Sequence, residues 1–243
     1  MRHRHVASAL NHKLGNVYAE LGRAKEAIPY LEVCHQIYQA SAARDPENVR
    51  ARFDHTTVDY DLGQAKEITG DRTGARQDYL ETASILEVML RRDPANLVWQ
   101  GHRADALYRV GVVDRELGKV AEAGSTVREA LAIAVRIATN PHASAEDLNR
   151  AADFLSSAEP VPWREPRKAL QFALQATEKS QGTDAGYLLT LARCQQACGK
   201  SADAIQALLR ALALLPSPPP GQPPTLLRAS AEELLVSLRR QHP

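Results

Sequence analysis

Long apolar runs are missing from this chain of 243 residues. The longest, Ala207 to Leu215, is broken by Arg210 and falls far short of the roughly 20 residues that a membrane-spanning helix needs. An excess of one charge is also missing, with 30 Lys and Arg against 29 Asp and Glu. Binding to nucleic acid through its phosphates calls for a clear basic surplus, so no nucleic-acid partner is expected. Aromatic residues make up only 5%, while alanine and leucine dominate, which favours helices packed through small side chains. Cysteine is scarce: Cys34, Cys194 and Cys198 are odd in number and have no framework spacing, as expected of reduced thiols in a cytoplasmic protein. Met1, Arg2, His3, Arg4 and His5 lead into a polar segment rather than an apolar core, so no signal peptide and no membrane contact are expected.

Motifs that carry chemistry are equally scarce. The eight histidines show no HExxH or Cys–His spacing. Cys194 and Cys198 share a helix face, but two thiols without a histidine nearby make at most half of a metal site. His102-Arg103-Ala104-Asp105 and Asp61-Leu62-Gly63 echo kinase motifs in the wrong chain order, without a glycine-rich loop. The expectation is a chain with no catalytic residues, no metal and no cofactor.

What the sequence does have is a period. Gly15, Gly63 and Gly111 are evenly spaced, and Gly22, Gly70 and Gly118 keep the same step; so do Ala27, Ala75 and Ala123, and Ile37, Ile85 and Ile133. A fixed self-similarity of this size, about 48 residues, marks stacked supersecondary units. Within each period the apolar residues recur at helical spacing, as in Leu10, Leu14, Val17, Tyr18 and Leu21, then Ala27, Leu31, Cys34, Ile37 and Tyr38. Gly22, Gly70, Gly118 and Gly199 fall where one helix must turn into the next, in a left-handed conformation that costs glycine little. Asp45-Pro46, Asp93-Pro94 and Asn140-Pro141 are expected to end the second helix of each unit, because proline disfavours helix at the residue before it. Each unit is then a pair of antiparallel helices of about 20 residues. Gly15, Gly63 and Gly111 lie inside a helix, where each costs up to about 1 kcal/mol against alanine. Their recurrence predicts close approach of the partner helix, with Ala27, Ala75 and Ala123 as the facing small residues.

The array loosens after the third unit. A degenerate unit spans roughly 144 to 180, its turn replaced by Glu159-Pro160-Val161-Pro162-Trp163-Arg164-Glu165-Pro166. Six prolines between Pro216 and Pro224 make an extended spacer. Thr225 to Arg240 reads as a last helix with Leu227, Ala231, Leu234, Leu235 and Leu238 on one face, the polar-backed cap that a solenoid requires. The expected organisation is a solenoid over 1–216, a linker over 217–224 and a capping helix over 225–243.

The unit resembles the tetratricopeptide repeat. Unit one carries Leu14-Gly15, Tyr18, Ala27, Leu31 and Cys34; unit two carries Leu62-Gly63, Ala75, Tyr79 and Thr82; unit three carries Leu107, Val110-Gly111, Ala123, Val127 and Ala130. A last unit near the standard length of about 34 carries Leu188, Leu191-Ala192, Ala204, Leu208, Ala211 and Pro216. The first three units are stretched beyond that length, and Lys66 and Asp114 stand where the signature has tyrosine. The resemblance implies an all-α fold: a right-handed α-solenoid of antiparallel helix pairs whose first helices line a concave groove.

On this register the groove residues are His12, Asn16 and Glu20 from unit one, Tyr60, Asp61 and Gln64 from unit two, and Tyr108, Arg109 and Arg115 from unit three, with Arg193 from the last. Tyr60 and Tyr108, one period apart, are expected to form an aromatic pair. Such a groove suits an extended peptide or a partner helix. The carboxylate clamp of the family does not transfer: only Asn16 and Arg109 match it, and Asp61 and Asp105 would repel a C-terminal carboxylate. The expected function is therefore a non-catalytic scaffold for a protein or peptide ligand, with self-association through the terminal helix as a further route. A second expectation comes from order and style. Arg91-Arg92-Asp93-Pro94, the Trp163 segment and the helix from Ala169 to Thr177 resemble the C-terminal repeat regions of bacterial Ser/Thr protein kinases, where such an array would act as a regulatory sensor. Met1 stands in the phase of Val49 and Leu97, so the array starts flush with a repeat boundary, as a region detached from such a kinase would.

Overall fold

Why the chain turns where it does is visible in its caps. A computed structural model describes residues 2–158, 163–219 and 223–241, with side chains from Ser8 onward. Eleven α-helices and no strand occur among the described residues. They are α1 (Arg2–Glu20), α2 (Ala24–Arg44), α3 (Val49–Thr69), α4 (Arg72–Leu90), α5 (Leu97–Glu116), α6 (Val120–Ala138), α7 (Ala145–Ser157), α8 (Pro166–Lys179), α9 (Ala185–Ala197), α10 (Ser201–Leu214) and α11 (Leu226–Gln241). Asn48 and Asn96 start α3 and α5 by accepting from the backbone N–H three residues on, and Ser144 starts α7 with a reciprocal capping box to Asp147. These three caps are themselves one period apart. Within a unit the turn is a glycine: Gly22, Gly70 and Gly118 have φ of 74°, 89° and 80°.

Gly70 isolates the backbone contribution, because a Cβ placed there would meet nothing within 4 Å. Gly70→Ala is therefore expected to cost about 1–2 kcal/mol from the left-handed conformation alone, with Gly70→Asn costing less. Urea denaturation of the two variants checks the order; equal midpoints for wild type and Gly70→Ala would remove the turn from the account.

The helical contacts form two compact units, residues 1–130 and 131–243. In the first, α1 to α5 pack each against the next in sequence. Its core is one pattern used twice. Ala27, Leu31, Leu62 and Ala65 form one buried cluster; Ala75, Tyr79, Val110 and Val113 form another, each member one period further along. The interior glycines sit over these clusters, and here the expectation needs correction. Gly15 faces Leu31 and Gly63 faces Tyr79, whose side chains would lie 2.8 Å and 2.7 Å from an added Cβ; Gly111 faces Val127 even more tightly. The close neighbours are large side chains one helical turn beyond Ala27, Ala75 and Ala123. Each glycine is thus a hole that receives a knob, rather than half of a small-on-small contact. The alanines are buried at the same seams, where the carbonyl oxygens of Ala27 and Ala123 come within 3.6 Å and 3.1 Å of the glycine Cβ positions.

In the second unit α7 packs on α8 and α9, and α9 on α10. Glu159 to Pro162 lie outside the described residues. Beyond them Glu165 donates its N–H to Leu155 O at 3.0 Å, and Pro166 opens α8 at a position where a missing N–H costs no helical bond. At the other end α11 presents Ala231, Leu235 and Leu238 to the interior. Arg228 holds it to the end of α10, donating from Nη1 to the carbonyls of Leu215 at 3.1 Å and Pro216 at 3.3 Å. These carbonyls follow a helix C-terminus, where a guanidinium satisfies otherwise orphaned acceptors.

Candidate partner-binding face

The first helices of the first unit, α1, α3 and α5, repeat their slots once per period. One slot holds His12, then Tyr60, then Tyr108; a second holds Asn16, Gln64 and Val112; a third holds Lys13, Asp61 and Arg109. His12 Nε2 lies 2.6 Å from Asp61 Oδ2, joining α1 to α3, and Asn16 Nδ2 lies 3.5 Å from the same histidine nitrogen. His12 and Asp61 are each about one-fifth exposed, so this bond is shielded yet reachable.

Nearly two turns further along α3 a second polar junction forms. Arg109 Nη1 on α5 lies 3.5 Å from Glu67 Oε1, and the other Glu67 oxygen accepts from the Tyr79 hydroxyl at 2.7 Å. The Arg109 guanidinium also acts electrostatically on Tyr60, whose ring sits 5.4 Å from that of Tyr79. Burial pushes the Tyr60 phenol up to about 12 and raises that of Tyr79, so both are neutral donors at any physiological pH. The family register therefore brings together His12, Asn16 and Asp61, and separately Tyr60 and Arg109. Gln64 is partly buried between these groups in sequence; Arg115 is exposed at the end of α5. Tyr108 is only 7% exposed, and the described ring partner of Tyr60 is Tyr79 on α4. Arg193 belongs to the second unit, where its guanidinium lies 3.9 Å from Asp153.

Glu67 and Tyr79 belong to this network although the groove register omits them. Glu67 is one period before Arg115, and Tyr79 one period after the core residue Leu31. Slot arithmetic alone would have found Glu67. Tyr79 was hidden because its ring is core while its hydroxyl reaches the polar layer, the usual dual character of a buried tyrosine.

Two of the three thiols, Cys34 and Cys194, are buried. Burial raises Cys34 to about 11 and Cys194 to about 12, and Cys34 donates to Ser8 O at 3.2 Å. No described helix is long and apolar enough to cross a membrane.

Fold and face together define an α-helical repeat protein, built from antiparallel helix hairpins with a recurrent core and a variable polar edge. Residues 8–40 match the family model described as Tetratricopeptide repeat. The fold is similar to that of TTC0263, a thermophilic TPR protein of Thermus thermophilus, at 16% identity and a TM-score of 0.52, covering 94% of this chain and 99% of that one. It is also similar to the nearly identical TPR-like repeats of a Podospora anserina putative kinesin light chain, at 19% identity and a TM-score of 0.45, covering 86% and 95%. No curated protein matches the chain in sequence. The chain thus carries a tetratricopeptide repeat over residues 8–40, within an all-helical fold similar to that of a solved protein of such repeats.

Proposed function

We infer that this protein is a scaffold that takes an extended peptide or a partner helix along the face of α1, α3 and α5. The tetratricopeptide fold supports a role in protein–protein interaction. The observation that carries the finer reading is a contrast within one repeat frame. The slots of the two buried clusters keep their apolar character from one unit to the next, as in Ala27 and Ala75 or Leu62 and Val110. The slots of the first-helix face instead change chemistry at each step, from His12 to Tyr60 and from Lys13 to Asp61 to Arg109. A surface needed only for solvation has no use for a part-buried histidine and an arginine paired with carboxylates across helices, beside part-buried asparagine and glutamine. Such groups can hold a peptide backbone and select its side chains.

The test is selection of a displayed random peptide library on the immobilised chain, followed by affinity measurement in solution. Enriched peptides are expected to bind about tenfold more weakly to Arg109→Gln and to Gln64→Ala, a loss of about 1.4 kcal/mol each. Circular dichroism of the two variants should match wild type. Peptides that bind both variants undiminished would place the partner elsewhere, and failure to enrich any peptide over an unrelated helical repeat would end the reading.

A further inference from the structure

Away from that face, α2 and α3 share a polar cluster that the repeat does not require. His35 comes from α2; His55 and Asp59 come from α3, four residues apart and so on one side of the helix. One ligating atom from each of the three lies within 4.8 Å of the others. His35 Nδ1 is 2.6 Å from Asp59 Oδ1 and 3.4 Å from His55 Nε2, and His55 Nε2 is 3.4 Å from Asp59 Oδ2.

We propose that His35, His55 and Asp59 form a three-ligand site for a divalent first-row transition cation of the zinc type, tying α2 to α3. Three observations lead there. First, 3.4 Å is long for a hydrogen bond, but it is the separation of two ligands held at about 2.0–2.1 Å in tetrahedral directions around one ion. Two of the cluster's edges have that length, and both involve His55 Nε2. Secondly, the Asp59 side chain is 1% exposed, and its Oδ2 makes no hydrogen bond, with His55 Nε2 3.4 Å away. A buried carboxylate oxygen left in this way is costly unless something binds it.

Thirdly, the cluster sits in anionic surroundings. Asp78 and Glu81 on α4 act on His35 and Asp59, and Lys66 answers through an ion pair with Asp78 at 2.8 Å. The set of three carboxylates against one lysine favours a cation over a second anion. The chemistry of the donors suits imidazole-seeking ions rather than calcium or magnesium. His35 is the least buried of the three, with 21% of its side chain exposed, and supplies the way in.

The same place one period later shows that the cluster is not a by-product of repetition. His35, His55 and Asp59 become Ala83, Arg103 and Leu107. Ala83 and Leu107 are buried, and Arg103 forms ion pairs with Glu129 at 2.8 Å and Glu87 at 3.7 Å. A solution without ligating groups exists for this slot, and the first junction departs from it with three of them.

Binding would place the ion between groups that now contact one another, His35 Nδ1, His55 Nε2 and the Asp59 carboxylate. The test uses the full chain, stripped with a chelator and titrated with Zn2+ by calorimetry. Co2+ is the spectroscopic probe. One equivalent and the visible absorption of a four-coordinate cobalt ion are expected. His35→Ala and Asp59→Asn should each weaken Zn2+ binding by tenfold or more, while the His3→Ala/His5→Ala variant keeps full affinity. His35 is partly exposed, so His35→Ala tests the site even if Asp59→Asn folds poorly. No saturable binding by wild type would overturn the proposal. So would affinity that survives His35→Ala and is lost in His3→Ala/His5→Ala.

Discussion

Replacing Tyr79 with alanine is expected to remove about 3–5 kcal/mol of stability, the cost of deleting a fully buried aromatic ring. Tyr79 is 0% exposed and among the largest side chains buried to that extent. Its ring fills the hole over Gly63, lies beside Tyr60, and is closed in by Ala75, Val110 and Val113. Tyr79→Phe should separate the two jobs. It keeps the ring and loses only the hydroxyl bond to Glu67, costing about 1 kcal/mol. The more searching variant is Gly63→Ala. In the wild type its Cβ would stand 2.7 Å from a Tyr79 ring carbon, and overpacking of this kind costs about 1–3 kcal/mol. With Tyr79→Ala already present the clash is gone, and the same change should gain up to about 1 kcal/mol from helix propensity and cavity filling. The effect of Gly63→Ala thus reverses sign between the two backgrounds. Urea titrations of the four chains measure this coupling directly. A Gly63→Ala cost of the same sign and size in both would refute the fit of ring into hole.

How much of this was legible in the sequence depends on whether a feature is local or shared across helices. The turns at Gly22, Gly70 and Gly118 were legible because a chain reversal imposes its own backbone conformation. The tight helix pairing at Gly15, Gly63 and Gly111 was legible as a cost kept three times over. Its counterpart was not, because periodicity assigns a phase to each helix but does not fix which turn of one meets which turn of the other. Leu31, Tyr79 and Val127 are as periodic as the alanines that precede them. The N-caps at Asn48, Asn96 and Ser144 were legible and overlooked, since their residue type changes while their role does not. On the candidate face, His12 and Asp61 share no slot, so their bond appears only once α1 and α3 are in place. The His35, His55 and Asp59 cluster left one trace, the four-residue step from His55 to Asp59. Its third member lies 20 residues before His55, on another helix.

The tetratricopeptide signature itself shows how one slot is refilled by different physics. In unit one Tyr18 stacks on Tyr30, ring centroids 5.5 Å apart. One period on, the same two slots hold Lys66 and Asp78, and the stack has become an ion pair at 2.8 Å. Another period on they hold Asp114 and Thr126, and the pairing changes direction. Asp114 is 1% exposed and turns to the preceding unit, where Arg76 on α4 donates to it from Nε at 2.5 Å and from Nη2 at 3.3 Å. A departure from the signature tyrosine is thereby converted into a bond between units.

That conversion carries the second large prediction. Arg76→Ala leaves a carboxylate in the interior with Lys119, 3.9 Å away, as its remaining cation among the ion pairs of the described residues. Breaking a buried pair from one side costs about 3–5 kcal/mol, and Lys119 should hold the loss to about 3 kcal/mol. Arg76→Lys should recover only part of it, because an ammonium cannot reproduce the two-point contact. Removing both charges is different in kind: Arg76→Met with Asp114→Leu takes away the ions and their desolvation together, and should restore stability to within about 1 kcal/mol of wild type or exceed it. Thermal and urea unfolding of the four chains would show a large single-site cost that the double change cancels. If Arg76→Ala costs no more than an exposed ion pair, under about 1 kcal/mol, then Asp114 is held by the surrounding helix rather than by its partner, and the slot is a solvated exception instead of a joint between repeats.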